Sequence, residues 1–173
     1  LSRAVADAEL VVLVVPSHVT RLVAEQLRPH LTPDALVCCA AKGIEFDTLA
    51  TMSGVLHEVL PEVTHPQLTF LSGPSFAVEV ARGWPTAVTV AGTDDAARRA
   101  VQEAFSGPGF RVYTSDDVMG VEVAGCVKNV VAIASGMCEG LGFGANARAA
   151  LITRGLVEIT RLAVAMGAQP VTP

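Results

Sequence analysis

Charge is scarce in this chain of 173 residues: only 17% of positions are Asp, Glu, Lys or Arg, and their balance is acidic, with a net charge of −5. Non-specific binding to nucleic-acid phosphates or to an anionic membrane surface needs a basic face, so neither partner is expected. An anionic ligand would have to be held locally. Long apolar runs are also missing. Leu10–Pro16 and Asn129–Cys138 fall short of the roughly 20 residues of a membrane span, and no crossing of a bilayer is expected. Near Leu1 there is no basic segment followed by an apolar run and a small-residue cleavage site. The chain therefore reads as cytoplasmic, or as cut from a longer one.

Cysteine is sparing and unpatterned. Residues 38, 39, 126 and 138 form neither a C-x-x-C pair nor a disulfide framework, so they read as reduced packing residues. Cys38 and Cys39 adjoin in a β-like run and should face opposite ways. Histidines 18, 30, 57 and 65 show no i, i+4 pairing and no mixed cluster with cysteine, and no metal site is expected.

What the chain does have is apolar bulk: 51% hydrophobic residues and a mean hydropathy of +0.48 exclude a disordered chain or a coiled coil. Its length suits one domain, or one and the start of a second. Short β-branched runs alternate with helical patterns, as in a parallel sheet with crossover helices. Strands are expected at Leu10–Val15, covered on both faces, and at Ala35–Ala40, Leu68–Leu71, Thr86–Val90 and Phe110–Thr114. Helices are expected near Val19–Arg28, Asp47–Val59, Phe76–Arg82 and Asp95–Phe105. From about Ser115 the β signal stops. Two long helices, Val118–Met137 and Asn146–Met166, follow, with Asn146 as the expected N-cap of the second. A domain boundary is expected there, giving units 1–115 and 116–173.

One asymmetry stands out. Ten of the twelve basic residues are Arg, and the only lysines are Lys42 and Lys128. A buried ammonium can shift its pKa by several units, whereas guanidinium stays protonated, so a chain that uses Arg for surface charge can keep Lys for chemistry. Lys128 has Ala124, Gly125, Val131 and Ala132 on its helix face. It is either a snorkelling side chain at a bundle edge or an amine facing a cleft, where it would be a general acid/base candidate. Lys42 follows a buried-type strand, at the edge where open α/β sheets bind ligands. Pro16-Ser17 and Ser72-Gly73-Pro74-Ser75 occupy the same kind of position. With Pro at a first helical position, the latter segment reads as a turn and cap, or as backbone N–H groups free for an anion. Arg148 and Arg154 read as surface charges, and Asp116-Asp117 as a helix-starting pair.

Several segments taken together are specific: Val14-Val15-Pro16-Ser17-His18, Ala41-Lys42-Gly43-Ile44-Glu45, Ser72-Gly73-Pro74-Ser75-Phe76-Ala77, Pro85-Thr86-Ala87, Val127-Lys128-Asn129-Val130 and Gly142-Phe143-Gly144-Ala145-Asn146-Ala147-Arg148. In this order and spacing the chain resembles the bacterial-type NAD(P)-dependent sn-glycerol-3-phosphate dehydrogenases. The resemblance implies an α/β fold, the latter part of a Rossmann-type dinucleotide-binding domain followed by the first helices of an all-α substrate domain. It implies an oxidoreductase that interconverts dihydroxyacetone phosphate and sn-glycerol 3-phosphate with NAD or NADP, for phospholipid synthesis. Lys128 matches the catalytic lysine, Lys42 a lysine touching cofactor and substrate, Gly73 and Ser75 substrate contacts, and Ala77 a cofactor contact. The family's Gly-rich pyrophosphate turn would precede Leu1 and its phosphate-gripping Arg-Asn pair would follow Pro173. On that ground the chain is expected to be an internal fragment with little activity alone. The partner expected is a small phosphorylated three-carbon substrate, with a homodimer left open. The alternatives are a related dehydrogenase of another hydroxy acid or phospho-sugar acid, and a non-catalytic nucleotide-binding module.

Overall fold

The structure, a computed structural model, describes residues 1–170. After a short helix α1 (Ser2–Val5), strand β1 (Leu10–Leu13), helix α2 (Ser17–Leu27), strand β2 (Leu36–Cys39), helix α3 (Met52–Val59) and strand β3 (Leu68–Ser72) form successive βα units. Helix α4 (Ala77–Ala81), strand β4 (Thr86–Ala91), helix α5 (Asp95–Phe105) and strand β5 (Phe110–Ser115) complete the sheet, and two long helices follow, α6 (Val118–Gly140) and α7 (Ala145–Ala165). The strand order is β1-β2-β3-β4-β5.

The sheet departs from the parallel arrangement in one place. β1, β2 and β3 are parallel, β4 is antiparallel to β3, and β5 is parallel to β4. The connection explains the reversal. A helix of five residues such as α4 rises about 7 Å, less than half the length of a five-residue strand, so it does not carry the chain back to the start of β3. β4 begins where β3 ends and runs back beside it. The eleven residues of α5 do span a strand, and β5 returns parallel.

The alternating faces of β2 organise the core. Cys39 joins Val11, Leu13, Val37 and Phe70 beneath α2 and α3, while Cys38 joins Val88, Val90 and Val112 beneath Val101 of α5. The two cysteines therefore do face opposite ways. β1 is not covered on both faces as expected: Val12 is 39% exposed, because α5 packs along β2 to β5 at the other side of the sheet.

Two helix starts also differ. α3 begins at Met52 and not near Asp47. Leu49 takes a φ of 57°, a small bridge joins Ile44 to Thr51, and the Thr51 side chain caps the helix through Gly54 N–H. α7 begins at Ala145 with Gly144 at its N-cap, so Asn146 lies inside the first turn. Asp117 does start a helix: its carboxylate accepts Gly120 N–H at 2.9 Å and Gln169 N–H at 2.8 Å, joining the two ends of the α6–α7 pair. By length and composition alone α6 could cross a membrane, although Glu122, Lys128 and Glu139 keep each of its uninterrupted apolar runs short. Here it packs along α7 and against β3 and β4.

Candidate active site

Parallel β1, β2 and β3 end at one edge of the sheet, and each delivers a loop there: Pro16-Ser17, Lys42-Gly43 and Gly73-Pro74-Ser75. Open α/β sheets bind ligands at such an edge. Lys42 crosses it. Its ammonium donates to the Gly73 carbonyl oxygen at 2.8 Å and to Ser75 Oγ at 3.2 Å. Burial, and then the charge of Lys128, pull its pKa below the usual lysine value. The two lysines of the chain are thus close enough for one to be felt by the other.

Gly73 has no room for a side chain. Its φ is 150°, and a Cβ would stand 2.9 Å from both the Ala87 carbonyl oxygen and the Val88 Cα of β4. Glycine is the residue that tolerates both the conformation and the approach. The turn stays pinned to β4, and its carbonyl stays turned toward Lys42. Pro74 does not open a helix as expected. α4 starts only at Ala77, with Phe76 as its N-cap, so the segment from Gly73 to Phe76 is a loop.

Lys128 is half-buried in the third turn of α6. It lines a cleft of about 240 Å³ with Ser72, Gly73, Pro74, Thr89, Gly125 and Leu156. Its ammonium donates to Asn129 Oδ1 at 2.9 Å. Of the two readings open in the sequence, the cleft is the one observed. Gly73 is the shared element, bonded to Lys42 on one side and walling the Lys128 cleft on the other. Ser75 belongs to the same group through Lys42. Ala77 is exposed at the start of α4 and is not part of this cleft. Arg148 and Arg154 pair with Glu139 at 3.0 Å and Glu158 at 2.8 Å.

One residue of the site was not legible as such. Glu122, six residues before Lys128 on α6, is 8% exposed and accepts the Ser53 N–H at 2.8 Å together with the Ser53 hydroxyl. Burial pushes its pKa up while the Ser53 donors pull it down, with burial prevailing. It lines a narrow gap with Cys39, Lys42, Gly43 and Cys126. A signal existed, since Glu122 and Lys128 are the only charges between Val118 and Cys138. Among the described residues no group of three or more His, Cys, Asp or Glu is arranged to hold a metal ion.

The site can hold an anion between two amines, orient a polar group against the Gly73 turn, and move a proton from an amine in a small-walled cleft. The same edge fits the phosphates of a dinucleotide, because Lys42 supplies a cationic donor there. Residues 1–98 match the family model for the NAD-dependent glycerol-3-phosphate dehydrogenase N-terminus, and residues 117–173 match that for its C-terminus. A glycerol-3-phosphate dehydrogenase [NAD(P)+] of Anaeromyxobacter sp. strain K is 58% identical over 99% of the chain and 52% of its own length. The solved glycerol-3-phosphate dehydrogenase of Coxiella burnetii is 37% identical with a TM-score of 0.82, over 99% of the chain and 52% of its own. The Saccharomyces enzyme of that name is 29% identical with a TM-score of 0.85, over 99% and 51%. The chain spans about half the length of the curated relatives it matches.

Proposed function

Because the chain belongs to the NAD-dependent glycerol-3-phosphate dehydrogenase family, we propose that the protein carrying it interconverts dihydroxyacetone phosphate and sn-glycerol 3-phosphate. The observation that carries the reading is the pairing of its only two lysines across the Gly73 turn, one at a strand end and one in a cleft. In this reading residues 1–115 form part of the cofactor unit and 116–173 open the substrate unit, the last three of these lying outside the described residues.

NADH or NADPH, held by Lys42 and Ala77, would supply the hydride for the C2 carbonyl carbon. Lys128 hands a proton to the C2 oxygen in the same direction and removes it in the reverse. Lys42 holds negative charge of substrate or cofactor at the β2 end. Its proton is easier to lose than an ordinary lysine's, yet its two hydrogen bonds fix the ammonium in place. Gly73 and Ser75 set one wall for the substrate, and Ala77, at the start of α4, touches the cofactor. Small and apolar walls from Ala124, Gly125 and Leu156 leave room for a substrate beside the Lys128 amine. Four free cysteines fit a reducing, cytoplasmic setting, and the product would supply glycerol backbones for phospholipids.

The test is oxidation of NADH and NADPH on addition of dihydroxyacetone phosphate by the protein carrying this sequence. K128A should lower kcat by about 10²-fold to 10⁴-fold, the usual contribution of a positioned acid. K128R should be nearly as poor, since guanidinium does not release a proton near neutrality. Normal turnover in K128R would reduce Lys128 to an electrostatic role, and absence of oxidation in the unsubstituted protein would overturn the reading.

A further inference from the structure

We propose that Glu122 is a positioning residue: its carboxylate moors α6 to the first turn of α3 and so sets where Lys128 stands against Lys42. The proposal deepens the functional reading above and rests on it for the role of the two amines.

The geometry has three parts. First, α3 begins with Thr51 as its cap, and its opening N–H groups need acceptors and favour negative charge. Glu122 reaches there from 69 residues away, taking the Ser53 N–H at 2.8 Å and the Ser53 hydroxyl. Thr51 Oγ1 braces that hydroxyl at 2.9 Å, and His57 Nδ1 lies 2.7 Å from the Ser53 carbonyl oxygen, so Ser53 is held from both sides. Second, six residues separate Glu122 from Lys128. At 1.5 Å and 100° per residue they lie about 9 Å apart along α6 and about 120° apart around it. One side chain faces the α3 end while the other faces the cleft, and a turn or slide of α6 moves both. Third, Glu122 shares the gap behind Lys42 with Cys39, Gly43 and Cys126. The mooring therefore lies immediately beside the loop that carries Lys42.

Packing alone does not account for a carboxylate here. Burying one is costly, and an apolar side chain of similar size would hold two elements together without that cost. A carboxylate with two donors on one serine fixes register and rotation, which apolar contact does not.

The experiment compares E122Q, E122D and E122A in the protein carrying this sequence. Reductive ¹³C-methylation of lysines gives NMR signals for Lys42 and Lys128, assigned with K42R and K128R, and each is titrated. Around Lys42 stand Gly73 and Ser75 from the turn, Lys128 from α6, and Cys39, Cys126 and Glu122 in the gap, so the charge of Glu122 itself must be separated from its mooring. E122Q keeps shape and loses charge, its amide oxygen accepting the Ser53 N–H and its amide N–H donating to Ser53 Oγ, whose hydroxyl turns to Thr51 Oγ1; E122D keeps charge and falls short of Ser53. The expected result is a Lys42 titration unchanged in E122Q but moved up toward ordinary lysine in E122D and E122A, as Lys128 withdraws. In the same two variants kcat should fall by about 10²-fold, the scale of a misplacement of about 1 Å, with the KM for NADH little changed. An unmoved Lys42 titration in folded E122D, or an E122Q as disturbed as E122D, overturns the proposal. If E122A does not fold, the Gln and Asp variants still decide. If the unsubstituted protein oxidises no NADH, the functional reading falls while the titration still reports whether Glu122 sets the distance between the amines.

Discussion

Gly125 of α6 lies directly on Ser72 at the end of β3. A Cβ at position 125 would overlap Ser72 Oγ and stand 3.3 Å from its Cβ. This contact brings α6 onto the strand end one turn before Lys128, so the absence of a side chain at 125 helps place the amine over the Gly73 turn.

G125A should therefore displace α6 or force Ser72 off its rotamer, at a cost of about 1–3 kcal/mol for an overpacked contact. Loss of turnover should accompany the lowered urea midpoint. S72A removes the overlapping oxygen, and the double variant G125A/S72A should recover most of the loss. Two losses that simply add would show that the residues do not press on each other.

G73A addresses the other side of the site. Two of the three atoms that its Cβ would meet, the Ala87 carbonyl oxygen and Val88 Cα, belong to the β4 backbone, which does not yield as a side-chain end would. The positive φ adds strain of its own, of order 1 kcal/mol or more. The expected outcome is a lower thermal midpoint and a Lys42 ammonium deprived of its carbonyl acceptor, read as a rise in KM for dihydroxyacetone phosphate. A variant as stable and active as the unsubstituted chain would mean that the turn is not pinned to β4.

These contacts show what a sequence can and cannot reveal. Strand and helix order followed from hydrophobic patterning, and α5 over Asp95–Phe105 falls where the sequence places it, because Asp94 provides the cap and the helix stays amphipathic to its end. The lysine pair was visible as a scarcity. The reversed β4 was not, since reading it needs the length of α4, and local helix signals give boundaries only to within a few residues. Nor was Glu122: its partner Ser53 lies 69 residues away in a different element, and no local pattern encodes that pairing.

The loop after Lys42 is held by a second charged contact. Arg21 of α2 donates to both oxygens of Glu45, at 2.9 and 2.8 Å, and Thr48 adds a third bond. The Arg21 hydrogen bonds, then that of Thr48, hold the Glu45 carboxyl down to about 2 from its usual 4.5. A depressed carboxyl contributes stability that is present above about pH 4.5 and is lost as the pH falls toward 2. For a partly exposed pair the contribution is roughly 1 kcal/mol. R21A should unfold with a shallower dependence on pH between 4.5 and 2 than the unsubstituted chain, measured by urea midpoints across that range. Equal dependence in the two proteins would assign the acid sensitivity elsewhere.

At the alkaline end β2 provides the opposite sign. Burial pushes the Cys38 thiol up to about 11 and the Cys39 thiol up to about 12, from an ordinary 9. Above pH 9 the unfolded chain loses these protons while the folded chain keeps them, so the unfolded state binds fewer protons and stability falls as the pH rises. The fall should level off only as the folded thiols ionise, near 11 to 12. Lys42 acts the other way, since its lowered pKa makes the unfolded state the better proton binder. Its effect is common to any pair of proteins that share the residue. The C38A/C39A variant will be less stable at every pH because two small cavities open in the core, but its urea midpoint should change less between pH 8 and pH 10.5 than that of the unsubstituted chain. If both midpoints fell in parallel, the thiols would have to ionise freely in the folded chain, and the two covered faces of β2, one under α2 and α3 and the other under α5, could not be sealed from solvent.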